Sequence, residues 1–274
     1  MPRLAAHGPA PKVMSAPPAA VHAKLGRMDA IHALAARLRR ARHILVLTGA
    51  GISAESGIAT FRDAQDGLWA RFRPEDLATP EAFRRDPALV WRWYAWRREQ
   101  VAAAQPNAAH RALVELAQRR PVTLVTQNVD DLHQRAGSTD AICLHGSIMR
   151  SICSVTRLEI GADWLAAQTG EPPRSPHHTD GLARPGVVWF GENLPADALD
   201  RANAAARDCD AVLAIGTSAL VYPAAGLPAL AQRHGAWFAE INPQPTPLTP
   251  TADLVVARAA GLALPAALAA WEEP

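Results

Sequence analysis

Three short stretches of this chain carry residue types whose order can do chemistry. Gly49-Ala50-Gly51-Ile52-Ser53-Ala54-Glu55-Ser56-Gly57 follows the apolar run His43–Thr48. It meets the G-x-G-x-x-G/A spacing of a tight turn that brings backbone N–H groups up to a pyrophosphate, although the same spacing also describes a plain glycine-rich strand-to-helix turn. A dinucleotide dehydrogenase would add an acid about 20 residues on, at the end of a second strand. Here the chain continues Thr60-Phe61-Arg62-Asp63 and Asp66-Gly67-Leu68-Trp69, a loop suited to folding over a bound nucleotide. The second stretch, Gln127-Asn128-Val129-Asp130-Asp131-Leu132-His133, puts an amide pair and an acid pair in one turn, and a helix N-cap accounts for one of these residues rather than all four. The third is Leu144-His145-Gly146-Ser147, whose histidine is either structural or a base poised near neutral pH.

These stretches must be held by a frame, and the apolar pattern supplies one. Ile31, Leu34, Ala35 and Leu38 fall at helical spacing from Asp29 onward, with Arg39 and Arg40 near the end, where a helix favours cations. Short apolar runs at His43–Thr48, Pro121–Thr126, Ala211–Ile215, Ala236–Ile241 and Asp253–Ala257 alternate with helical patterns at Asn107–Arg119, Ala196–Arg207 and Ala224–Arg233. Alternation of this kind predicts an α/β fold, a Rossmann-type parallel sheet with helices on both faces. Ligands of such sheets sit at carboxyl strand ends, where Gly216-Thr217-Ser218 follows one run and Asn242 follows another and could serve a ribose. A Trp-rich helical segment, Glu81–Ala104, and a Pro-, His- and Gly-rich stretch, Arg150–Arg184, break the rhythm. They predict a small module made from two insertions, roughly 75–104 and 150–185, within a domain spanning 29–274. Residues 1–28, with five prolines and no apolar period, read as a disordered tail.

Composition narrows the classes. Twenty-eight basic against 26 acidic side chains give +2, which provides no global field for nucleic acid or an anionic membrane. No apolar run approaches the roughly 20 residues of a spanning helix. Three cysteines, Cys143, Cys153 and Cys209, lack framework spacing and suit a reducing compartment, so the expected location is the cytoplasm.

Taken in order, GAGISAESGIATFRD, TQNVDDLHQRAG, LHGS, RPGVVWFGENLP, GTS and INP resemble the sirtuins, NAD-dependent protein lysine deacylases, from about Asp29 onward. The resemblance implies an acyl-lysine peptide bound between the large domain and the small module, with NAD consumed as co-substrate. It implies that Gly49, Ala50 and Gly51 contact the phosphates, that Phe61 and Arg62 cover the nicotinamide ribose side, and that Gln127, Asn128 and Asp130 hold ribose hydroxyls and the carboxamide. Ser53, Glu55, Trp69, Val129, Gly216, Thr217, Ser218, Asn242, Pro243, Gln244 and Ala260 complete the expected NAD contacts. In the implied reaction the acyl oxygen attacks ribose C1′ as nicotinamide leaves. His145 then takes a proton from a ribose hydroxyl, and the products are free lysine, O-acyl-ADP-ribose and nicotinamide. His145, Asn128 and Asp130 are the expected catalytic set. Val188, Trp189, Phe190, Gly191 and Glu192 resemble the family strand that pairs with the substrate backbone, a mode that gives affinity with little side-chain selectivity.

Two features set this chain apart. Sirtuins usually carry two C-x-x-C pairs for a structural zinc, and the aligned positions here are Cys153, Thr156, Ser175 and His178. Hydroxyls are poor zinc ligands, so no metal is expected; a residual set would be Cys153, His177 and His178 with Asp180 or Cys143. Tyr94 and Arg97, three apart on one helix face, match the Y-x-x-R pair of the class that accepts succinyl and malonyl groups, the bland reading being a core tyrosine beside a surface arginine. The expected function is therefore NAD-dependent deacetylation, desuccinylation or demalonylation of acyl-lysine proteins, with no nucleic-acid or membrane partner and an oligomeric state left open, a monomer being compatible. The rivals are a protein mono-ADP-ribosyltransferase and a catalytically silent module that binds NAD or acyl-lysine.

Overall fold

The structure is a computed structural model that describes residues 27–59 and 73–271. Its strands are β1 (Ile44–Thr48), β2 (Val122–Thr126), β3 (Ile142–Cys143), β4 (Gly146–Cys153), β5 (Glu159–Ile160), β6 (Ala183–Val187), β7 (Ala211–Ile215), β8 (Trp237–Ile241) and β9 (Leu254–Val256). The helices are α1 (Arg27–Arg40), α2 (Pro74–Leu77), α3 (Pro80–Arg85), α4 (Pro87–Ala103), α5 (Ala108–Arg119), α6 (Leu132–Ala136), α7 (Ala162–Ala166), α8 (Ala196–Asp208), α9 (Leu227–Arg233) and α10 (Ala260–Ala269). Helix α1 begins two residues inside the stretch read as a tail, and the rest of that stretch, 1–26, lies outside the described residues.

Six parallel strands run in the order β3-β2-β1-β7-β8-β9, the doubly wound arrangement in which sequence order reverses beside the first strand. Strand β1 explains its central place: all five residues are buried, because alternate side chains enter two cores. Ile44 and Val46 join Leu34 and Leu38 of α1, Leu113 and Leu116 of α5, and Leu264 of α10. Leu45 and Leu47 join Ala202 and Ala206 of α8 and Leu227 and Ala231 of α9.

The expected helix over Glu81–Ala104 is two helices. Thr79 Oγ1 accepts the Ala82 N–H at 3.1 Å and Asp86 Oδ1 accepts the Leu89 N–H at 2.9 Å, so each of Pro80 and Pro87 opens a capped helix where its missing N–H costs nothing. Likewise Ala224–Arg233 divides into a 3₁₀ turn at Ala224–Gly226 and α9, with Pro228 in the first turn of α9. The second insertion is an antiparallel sheet, β5-β4-β6, and it shares a core with the first: Ile148, Val187 and Trp189 pack with Phe83, Val90, Trp93 and Tyr94.

Candidate active site

At the switch point the turns after β1 and β7 interlock. Gly49 N donates to Ile215 O at 3.1 Å and Gly51 N to Gly216 O at 2.7 Å. A Cβ on Gly51 would lie 2.7 Å from Gly216 O, and one on Gly216 would lie 2.4 Å from Ile52 N. Glycine is required because two backbones touch. The N–H groups of Gly49 and Gly51 are thereby bonded to the end of β7 and its turn, which fixes the loop they belong to.

The turn after β2 lies alongside. Gln127 N donates to Thr48 O at 2.9 Å and its Nε2 to Thr217 Oγ1 at 2.9 Å, joining the turns after β1, β2 and β7. Ser53, almost fully buried, is the hinge of the set: its hydroxyl donates to Asp130 Oδ2 at 3.0 Å and accepts Asn128 Nδ2 at 3.1 Å. Asp130 also accepts the Leu132 N–H at 3.1 Å, yet burial outweighs these bonds and raises its pKa. Asn128 Oδ1 is buried without a hydrogen-bond partner among the described residues, an acceptor left to be satisfied.

His145 enters from the loop between β3 and β4. Its Nδ1 lies 2.8 Å from Gln127 O, so Nδ1 carries the proton and Nε2 is the basic atom. Burial lowers its pKa, against the carbonyl, which raises it, so the ring is neutral at neutral pH. The adjoining Gly146 has φ +74, and a Cβ there would lie 2.2 Å from Gly186 O, so the histidine's backbone is locked against β6.

On the acyl side, Val188–Glu192 follows β6 and ends in a turn: Glu192 N donates to Trp189 O at 3.0 Å, with Gly191 at φ +85. Glu192 is the centre of an ion cluster. Its carboxylate takes Arg184 at 2.7 and 3.0 Å, Arg157 at 2.8 Å and the Trp189 N–H at 2.9 Å. Burial works to raise its pKa, but these donors hold it down at about 2. Val188 N is bonded to His145 O at 2.9 Å and Phe190 N to Ala78 O at 3.0 Å, while the Phe190 ring is 42% exposed at the rim. Tyr94 is buried, and Trp189 Nε1 donates to its hydroxyl at 3.0 Å; burial pushes its pKa up to about 12. The Arg97 guanidinium lies 5.0 Å from the Trp93 ring and 5.9 Å from the Tyr94 ring, and within electrostatic reach of Asp130.

Around the NAD side, Ser218 and the buried Thr217 follow β7, and Val129 O accepts the Ile148 N–H at 2.8 Å. Asn242 bonds Gln244 O at 2.7 Å and shapes its loop with Pro243. The Glu55 carboxylate accepts the Gly261 N–H at 2.7 Å, capping α10 beside Ala260. Phe61, Arg62 and Trp69 lie outside the described residues.

The four positions aligned with a zinc site do gather, but as a hydrogen-bonded plug. Cys153 Sγ accepts from Thr156 N at 3.5 Å and from the Ser175 hydroxyl, and a Cβ on Gly181 would lie 2.7 Å from that sulfur. Burial opposes the charge, yet the converging donors bring the thiol down to about 6. His177 Nε2 is spent on Glu159 O at 2.7 Å, and His178 Nδ1 accepts the Asp180 N–H at 3.1 Å. One thiol with two neutral hydroxyls does not fit zinc. Among the described residues no three His, Cys, Asp or Glu side chains converge as a metal site.

An amide–serine–carboxylate triangle beside a neutral histidine, both at the switch point of a doubly wound sheet, defines a class that comparison with known proteins identifies. The sequence profile of the Sir2 family matches residues 49–223. An NAD-dependent protein deacylase of Ralstonia nicotianae is 53% identical over 236 residues, 85% of this chain and 93% of the relative. One from Aquifex aeolicus is 52% identical over 77% of this chain and 88% of its own length. A crystal structure of a Sir2 homologue with NAD superposes with TM-score 0.80 at 46% identity, covering 87% of this chain and 93% of that one. This chain belongs to the Sir2 family.

Proposed function

We propose that the switch point binds NAD against Asn128, Ser53 and Asp130, that an acyl-lysine side chain enters from the Tyr94–Arg97 side, and that His145 is the base between them. The protein is an NAD-dependent protein deacylase with NAD as its co-substrate. The observation that carries the residue assignment is the orphaned, buried Asn128 Oδ1 beside the buried Ser53–Asp130 bond. A ribose hydroxyl supplies the missing donor. NAD contributes a ribose carbon made electrophilic by loss of nicotinamide; this chain's residues orient the reactants and move the proton. Gln127 O fixes the His145 tautomer, and Nε2 takes the proton of the attacking hydroxyl.

The preferred acyl group carries a distal carboxylate. Arg97 offers it a charge-assisted contact, and the Tyr94 hydroxyl, which already accepts from Trp189, has its own proton left to donate. The small module spans roughly 75–104 and 150–185, and the protein acts on cytoplasmic acyl-lysine proteins. Among the described residues no helix is long and apolar enough to cross a membrane. Mass spectrometry of acetyl-, succinyl- and malonyl-lysine peptides with NAD tests the whole reading: O-acyl-ADP-ribose and free lysine are expected. ADP-ribose attached to a protein side chain would favour the transferase, and no consumption of NAD would leave a binding module.

A further inference from the structure

Beside the turns after β1 and β2 two histidines are buried where apolar side chains would pack at lower cost. His110 and His133 are 0% and 1% exposed, and their rings meet edge to face with centroids 4.8 Å apart. Each has one satisfied nitrogen. His110 Nδ1 accepts the Asn107 N–H at 3.3 Å, which puts its proton on Nε2. His133 Nε2 lies 2.9 Å from Thr48 Oγ1, and Thr48 Oγ1 lies 2.8 Å from Thr126 Oγ1. The other two nitrogens, His110 Nε2 and His133 Nδ1, have no partner among the described residues. With the His133 proton directed to Thr48, one orphan is a donor and the other an acceptor. They are complementary in kind, and the edge-to-face contact of the two rings joins the residues that carry them.

Both ends of this pair reach the NAD turns. Asn107 Nδ2 donates to Ile52 O at 2.7 Å and to Ser56 Oγ at 3.0 Å, both in the 3₁₀ turn after β1. At the other end Thr126 Oγ1 accepts the Asn128 N–H at 3.0 Å. Thr48 and Thr126 are register partners and the last residues of β1 and β2, immediately before Gly49 and Gln127. We propose that His110 and His133 are positioning residues: the thread Asn107–His110–His133–Thr48–Thr126–Asn128 fixes the spacing between the phosphate turn and the ribose turn, and so sets NAD affinity. This rests on the assignment of those turns to NAD. Neither histidine touches the reacting atoms.

The test is steady-state kinetics with NAD and an acetyl-lysine peptide each varied, with thermal melts, for His133→Leu, His133→Gln and Asn128→Ala. A lesion that merely lowers the folded fraction reduces kcat and leaves KM alone. Loss of positioning raises KM for NAD by about tenfold or more in His133→Leu while KM for the peptide holds, and His133→Gln, whose amide N–H still reaches Thr48, stays within about threefold of wild type. An unchanged KM for NAD in folded His133→Leu, or a glutamine variant as impaired as the leucine one, overturns the proposal. Should the leucine variant not fold, ¹⁵N NMR of the native protein decides. Neutral rings with the proton on Nε2 in both are expected, and an Nδ1–H tautomer in either refutes the thread. If Asn128→Ala turns NAD over normally, the site assignment itself falls, whatever the histidine variants do.

Discussion

Acid should unfold this protein well above the pH at which carboxylates ordinarily titrate, because His110 and His133 are buried uncharged. Burial first, then the Arg111 charge, lowers His110 to about 4; burial, then His110, lowers His133 to about 3. In the unfolded chain both return to about 6.5. The unfolded state therefore binds more protons between these limits, so stability is complete above about pH 6.5 and falls as the pH drops toward the folded values. From pH 7 to pH 5 each histidine removes about 2 kcal/mol, and the pair about 4 kcal/mol, a large part of a typical 5–15 kcal/mol. Asp130 works the other way, since its raised pKa lets the folded state take up a proton first, so the observed loss should be somewhat smaller. Urea unfolding at pH 5, 6 and 7 at constant ionic strength reads this directly. The His110→Gln/His133→Gln variant keeps amide donors and acceptors without the titration and should lose most of the pH dependence. A wild type that loses under about 1 kcal/mol over this window, or a double variant that loses as much as wild type, would refute the argument.

Replacing His145 by Ala should lower turnover by about 10²–10⁴-fold with NAD binding retained, read by stopped assays and calorimetry. Because burial lowers the His145 pKa, the acid limb of kcat/KM should fall below the ordinary histidine value of about 6.5. Arg97→Met should cut kcat/KM for succinyl-lysine peptides by about ten- to hundredfold, the scale of one charge-assisted bond, and spare acetyl-lysine peptides; equal losses would make the Tyr94–Arg97 pair structural. Purified protein should carry no stoichiometric zinc and keep its melting temperature in chelator, as elemental analysis and thermal melts would show. Glu192→Ala should cost about 3 kcal/mol in urea unfolding, because Arg184, 4% exposed and stacked 3.3 Å from the Trp189 ring centroid, is left without its carboxylate.

What the sequence made legible follows from what local pattern encodes. The sheet could be read because β1, β2, β7, β8 and β9 are short apolar runs between amphipathic helices, and one-dimensional pattern is enough to place them. The helix break at Asp86-Pro87 was also legible in principle, since an Asp-Pro step is a cap followed by a first-turn proline. The two-residue β3 and β5 were not, because so short a strand has no period and exists only through its neighbours. The same division runs through the site. Asn128, Asp130 and His145 stand in motifs and can be singled out by residue type. Ser53 was found as a contact, but its place between Asn128 and Asp130 depends on two turns 75 and 77 residues apart. The ion cluster at Glu192 was not legible for a related reason: it forms only when Arg184, eight positions earlier, is folded back onto it. The pairing of His110 with His133 gave no signal, since the two stand in different helices, 23 positions apart in sequence. Polar groups that act through burial are invisible to pattern, since their meaning lies in partners that only the fold brings near. A residue that touches substrate can be guessed from its chemistry; one that holds another in place has to be traced bond by bond.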